Sequence, residues 1–321
     1  MANLIDNKKM LKWIGILIVY ILIIVICSSC KHSELHITAG KSEIIEQKQN
    51  ENEATAEVML LEKGNKKSVP ILMYHHFIED GDFSVDTIVS EAVFEEQIKA
   101  LSDAGYTAVN AKQIIDFVQN GSPLPENPIY ITMDDGYTSN LEIAAPILEK
   151  YNMKATVFSI GIYEGEDISP HTGAPLTPPR FDYKEALPWI EKGIMEVQSH
   201  IYDMYHLAKD GFSDRDGVLP YQGEDEAAYR VALTEDILKS KDRLYSDIGE
   251  NTYALAFPYG FNSSVAVEEF SRNGVYLTLT VNRGGNRVAV GNWDSIQCMN
   301  RLNVTEDLSG EELVRYIAIY S

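Results

Sequence analysis

Asp134 and Asp135 stand side by side before Gly136, and the β-prone run Ile-Tyr-Ile-Thr-Met (129–133) leads into them. This pattern predicts a strand that delivers two acids to the end of a sheet, where a loop begins. Adjacent carboxylates repel each other, and burying them costs several kcal/mol unless a cation or a proton intervenes. A divalent metal would take one acid as a ligand and leave the other to hold a water as general base. The competing reading is a solvated Asp-Asp-Gly turn. Further along, His200 ends the run Met-Glu-Val-Gln-Ser-His, and His206 follows in the same expected loop. One carboxylate with two imidazoles is the ligand set of an open catalytic zinc site, with a position left for water. Two structural histidines are the alternative.

The flanking elements must bring these groups together. Val69–Tyr74 reads as a strand ending in His75-His76, and Phe94, Ile98, Leu101 and Ala104 recur at a helical period that Gly105 stops. Short strands are expected at 106–109, 155–160, 194–197, 253–257 and 275–281. Helices are expected at 114–118, 141–151, 225–248 and 264–272, and a helical tail after Val304. Alternating β and α elements imply a parallel sheet with helices outside it. About seven strands in roughly 250 residues suit a barrel, whose active site lies at the carboxyl ends of the strands. His75, Asp134, Asp135, His200 and Tyr259 each follow an expected strand, so one rim can hold all five.

The 321-residue chain carries a net charge of −21, which argues against nucleic acid as a partner, while 45% hydrophobic residues support a sizeable core. Lys8, Lys9 and Lys12 precede an apolar run from Trp13 to Cys27, the pattern of an export signal or membrane anchor over residues 1–30. Ser28-Ser29-Cys30 resembles a bacterial lipoprotein cleavage site, with Cys30 as the lipidated residue. Residues 31–67 are rich in Glu, Lys, Gln and Asn and read as a flexible stalk, leaving 68–321 as the folded domain. The domain is expected to face outward from the cell membrane. Cys298 stands alone in it, so no internal disulfide forms there.

Thr-Met-Asp-Asp-Gly (132–136), Gln-Ser-His-Ile-Tyr-Asp-Met (198–204) and Phe-Pro-Tyr-Gly (257–260) together resemble the polysaccharide deacetylases, the NodB-homology domain of carbohydrate esterase family four. The opening Val-Pro-Ile-Leu-Met-Tyr-His-His-Phe is similar to the branch that de-N-acetylates poly-β-1,6-N-acetylglucosamine. The resemblance implies an α/β fold, a deformed (β/α) barrel of about seven parallel strands; separately, the chain is expected to be a monomer. It implies metal-dependent hydrolysis of N-acetyl groups on a glucosamine-containing polysaccharide, with zinc as the expected metal. Carried onto this chain, Asp134 is the general base, Asp135 and His200 are metal ligands, and His75 is the acid, with His76 in reserve. Tyr259, Tyr202 and Tyr205 are expected to line the sugar groove, and a backbone N–H near Tyr259 to bind the oxyanion.

One position departs from the pattern. The second imidazole ligand of this branch falls five residues after the first, which here is Tyr205, or four in the broader family, here Met204. His206 is the nearest imidazole and is the expected third ligand, displaced by one residue. A phenol binds metal poorly until it loses its proton. A non-catalytic carbohydrate-binding protein that keeps the groove therefore stays open; so does an O-acetyl esterase acting on xylan-type polymers, because it would use the same machinery.

Overall fold

A computed structural model describes residues 65–81 and 85–321. Its centre is one sheet of eight strands: β1 (Ile71–Tyr74), β2 (Thr107–Val109), β3 (Pro128–Asp135), β4 (Ala155–Ser159), β5 (Met195–Ser199), β6 (Ala254–Ala256), β7 (Leu277–Leu279) and β8 (Leu302–Asn303). The spatial order is β7-β6-β5-β4-β3-β1-β8, with β2 also paired to β3, and every pairing is parallel. A parallel bridge between Leu279 and Met299 sets the chain just ahead of β8 beside β7, at the far end of the strand order. The sheet is thus a half-barrel, in keeping with the expected class.

Seven α-helices accompany the sheet among the described residues: α1 (Glu91–Asp103), α2 (Ala111–Asn120), α3 (Ala145–Lys150), α4 (Tyr183–Glu191), α5 (Glu226–Ile248), α6 (Ser264–Arg272) and α7 (Gly310–Ala318). Their boundaries follow local chemistry. Ser90 caps α1 by accepting from the Val93 N–H, and Phe94, Ile98 and Leu101 form its buried stripe. Asp225 caps α5 by accepting from the N–H groups of Ala227 and Ala228, and Gly249 ends that helix with a left-handed φ of 72°. The expected helix at 141–151 divides into a π-turn over Asn140–Ala144 and α3, with Pro146 in the first turn. Helix α4 was not legible in the sequence, because Pro188 interrupts its pattern; a capping box of Asp182 and Glu185 starts it.

Strand alternation sorts the core into two layers. Ile129, Ile131 and Met133 of β3 join the cluster that packs under α1, α3, α4 and α7, whereas Tyr130 joins the cluster on the opposite face with α2. Thr132 and Asp134 share the Tyr130 face by the same period of two. The sequence of β3 therefore fixes which of the paired acids is directed inside.

Lys66–Ser68, at the end of the expected stalk, pairs antiparallel with Arg287–Ala289. The expected signal or anchor, most of the stalk and Cys30 lie outside the described residues. Among the described residues no helix is long and apolar enough to cross a membrane.

Candidate active site

Register places the site before any side chain is considered. Asp135 pairs with Ser159 across β3 and β4, and Ser159 pairs with Ser199 across β4 and β5, so the three strand ends are level. His200 follows at once, its N–H donating to the Ser159 carbonyl at 2.8 Å. Three non-glycine residues beside these ends hold left-handed backbone: Asp135 (φ 74°), Ile201 (φ 71°) and Tyr259 (φ 57°). Each such conformation costs on the order of 1–3 kcal/mol, most clearly for a β-branched residue such as Ile201. Gly136 follows Asp135 with φ 72°, and a Cβ there would lie 2.9 Å from the Ser159 Cβ.

Asp134 is buried between a guanidinium and two imidazoles. Arg301 donates to both its oxygens, Nη1 to Oδ1 and Nη2 to Oδ2, each at 2.7 Å. Arg301 is fully buried, and its Nε also donates to the Thr280 carbonyl at 2.8 Å. His75 Nε2 and His200 Nε2 each lie 4.0 Å from Asp134 Oδ2. Burial alone would raise the Asp134 pKa, but Arg301 and the two histidines outweigh it and hold the carboxyl at about 2. Asp134 is therefore an ionised, oriented acceptor.

His200 Nδ1 lies 2.7 Å from the Ala256 carbonyl, which can only accept, so Nδ1 carries the hydrogen. In the neutral ring the Nε2 lone pair then faces Asp135 Oδ1 at 3.6 Å. Two lone-pair donors on one point form a pocket for a cation, and Asp135 with His200 fits a divalent metal. His75 is the histidine brought to Asp134; burial pushes its pKa down against the upward pull of both aspartates. Its Nδ1 is buried with no hydrogen-bond partner among the described residues. His76 instead meets Ser139 Oγ at 2.9 Å and packs on Tyr137, so it is not part of this group.

The structure does not bring His206 to Asp135 and His200. Its Nε2 meets the Tyr163 hydroxyl at 3.0 Å, and its ring packs against His171 with centres 4.4 Å apart. Tyr205 lies on the His200 side, with ring centres 5.8 Å apart. The cause is local. Asp236 of α5 accepts from the consecutive N–H groups of Tyr202, Asp203 and Met204 at 2.7, 2.8 and 3.0 Å, which fixes the path of this loop. A loop pinned so tightly does not absorb a one-residue displacement. Burial, with Asp135 nearby, keeps the Tyr205 phenol protonated far above its ordinary range. The candidate centre thus has two strong ligands and a neutral phenol where a second imidazole was expected.

Of the other tyrosines, Tyr259 is 40% exposed, and its ring lies 5.4 Å from that of Tyr205, at the mouth of the site. Its backbone lies in the 3-10 turn Pro258–Gly260. Tyr202 is not at the mouth: its ring packs against Gly161 and under the Lys239 ammonium, 5.8 Å from the ring centre.

Residues 121–278 match the family model of the polysaccharide deacetylases. The chain carries a polysaccharide deacetylase domain. The matched span of this deacetylase domain holds Asp134, Asp135, His200, Tyr205, His206 and Tyr259, while His75 and Arg301 lie beyond it. The chain is 27% identical over 249 residues to the YxkH protein of Bacillus subtilis (strain 168), covering 78% of this chain and 76% of that one. It is 22% identical over 244 residues to the poly-β-1,6-N-acetyl-D-glucosamine N-deacetylase of Escherichia coli (strain K12), covering 71% of this chain but only 35% of that protein. The solved structure of a de-N-acetylase from Aggregatibacter actinomycetemcomitans shares the fold of the deacetylase domain, with a TM-score of 0.67 at 20% identity over 78% of this chain and all of that one.

Sequence reasoning missed Arg301. Its signal was an arginine inside the β-prone run Met-Asn-Arg-Leu-Asn-Val (299–304) of a strongly acidic chain. Only the tertiary fold shows that this run crosses behind Asp134.

Proposed function

We propose that this domain removes N-acetyl groups from an N-acetylglucosamine-containing polysaccharide outside the cell, with a divalent metal as cofactor. The observation that carries the proposal is the convergence of Asp134, Asp135, His200 and His75 at one set of strand ends. Family membership and the relatives named for poly-β-1,6-N-acetyl-D-glucosamine support the substrate class. Carboxylate and imidazole donors favour zinc and also accept cobalt, nickel or manganese. The export-like leader over residues 1–30, ending at Cys30, supports a membrane-tethered domain facing outward.

Asp135 and His200 would hold the metal, which when bound polarises the acetamide carbonyl and acidifies a water. Asp134 accepts the proton from the attacking water, and Arg301 fixes the direction of its free lone pairs. A backbone N–H near Tyr259 would donate to the carbonyl oxygen as it gains charge. His75 gives a proton to the departing amine, so that acetate and a free glucosamine amine leave. Tyr205 and Tyr259 supply aromatic surface at the mouth for a sugar ring.

Tyr205 also supports a second reading, a carbohydrate-binding protein without catalysis. Acetate release separates the readings. Incubating the protein and zinc with β-1,6-linked N-acetylglucosamine oligomers and with acetylated xylan should yield acetate from the first, and none after chelation. Acetate from xylan alone would make the protein an O-acetyl esterase; none from either would make it a binding protein.

A further inference from the structure

The displaced His206 belongs to a second cluster of metal-binding side chains. Ligand atoms of His171, Asp203 and His206 all lie within 4.8 Å of one another, and all three residues are half-buried. His171 Nε2 is 2.7 Å from Asp203 Oδ1, and Phe212 packs on both imidazoles with ring centres 5.4 and 4.9 Å away. Two imidazoles and one carboxylate in this arrangement are the donor set of a three-ligand zinc site.

The backbone of the cluster is held in place beforehand. Asp203 and its neighbours are pinned from behind by Asp236, so the Asp203 carboxylate keeps a fixed origin. His171 sits on a turn closed by the Ser169 N–H to the Ala174 carbonyl (2.8 Å) and by the Gly173 N–H to the Ser169 carbonyl (2.9 Å). The three residues line a cleft of about 240 Å³ whose other charged residues are Glu235 and Asp236 on one hand and Arg215 and Lys239 on the other. Tyr205 separates this cluster from the first site, its ring 6.1 Å from His206 on one side and 5.8 Å from His200 on the other.

We propose that His171, Asp203 and His206 bind a zinc-class divalent cation as a second site, distinct from the one at Asp135 and His200. Such an ion ties the excursion carrying His171 to the loop after β5, which supplies Tyr205 to the mouth of the first site. It therefore acts as a clasp on the wall of the groove. The inference rests on the cluster alone and does not depend on the proposed deacetylation.

The test counts zinc by elemental analysis on the full chain after equilibration with zinc and removal of the excess. Asp135→Ala removes a ligand of the first site, and His171→Ala is then added to it. The Asp135→Ala chain should keep one zinc more than the Asp135→Ala/His171→Ala chain. Zinc should raise the melting temperature of the former by several degrees more than that of the latter. Circular dichroism of both chains without zinc confirms that each is folded, and His171→Asn replaces His171→Ala if the latter is not. Equal zinc content and equal melting shifts in two folded chains would overturn the second site.

Discussion

Arg301 holds Asp134 by two parallel N–H···O bonds, each 2.7 Å long, with the arginine fully buried and the aspartate nearly so. The pair joins the segment ahead of β8 to the end of β3, so one contact both closes the half-barrel and aims the candidate base. Removing the arginine leaves a buried charge without its partner. Arg301→Ala should cost about 3–5 kcal/mol of stability and lower kcat by about 10²-fold or more. Arg301→Lys keeps the charge but not the fork and should fall between the two. Chemical denaturation with kinetics on the folded fraction checks both.

The same pair sets an acid limit. The folded pKa of Asp134, about 2, lies below its ordinary value of 3.8, so its contribution to stability is present above pH 4 and lost as pH falls through 2. In Arg301→Ala that protection disappears, and acid unfolding should begin at higher pH. A pH series of thermal melts from 2 to 5 reads the shift.

Tyr205 stands where a second imidazole would complete three strong ligands. Tyr205→His should raise metal affinity at Asp135 and His200 by about tenfold or more, with a matching gain in activity at limiting metal. Competition with a metallochromic chelator measures the affinity. An unchanged affinity would mean that the phenol position is not a ligand position.

His75 is predicted to act on protons and not on metal. His75→Gln should lower kcat by about 10²–10³-fold while leaving metal content unchanged. Loss of metal in this variant would instead make His75 a ligand.

Asp236 anchors the loop that decides these questions. Burial raises its pKa to about 6 despite three N–H donors, so its stabilising term is full below about pH 4 and lost as pH rises through 6. Asp236→Asn removes that titration and part of the N–H cradle. Stability should drop by about 1–3 kcal/mol, with a flatter pH dependence between 4 and 7. Melts across that range are the check.

The sequence revealed most of the strands and helices, because the periods of two and 3.6 are plain in residues such as Ile129–Asp135 and Phe94–Leu101. It also marked Asp134, Asp135, His200 and His75 as residues that could share one rim, since all follow strands. The direction of His206 was not legible. It depends on Asp236, some thirty residues away in sequence, holding three successive N–H groups of the loop. Arg301 escaped notice for the same reason: nothing local to it refers to Asp134.

The most direct measurement is mass spectrometry of a β-1,6-linked N-acetylglucosamine oligomer after incubation with the zinc-loaded chain and with its Asp135→Ala variant. The account predicts stepwise loss of acetyl groups with the first and an unchanged oligomer with the second. An oligomer that binds the native chain yet keeps every acetyl group would contradict it.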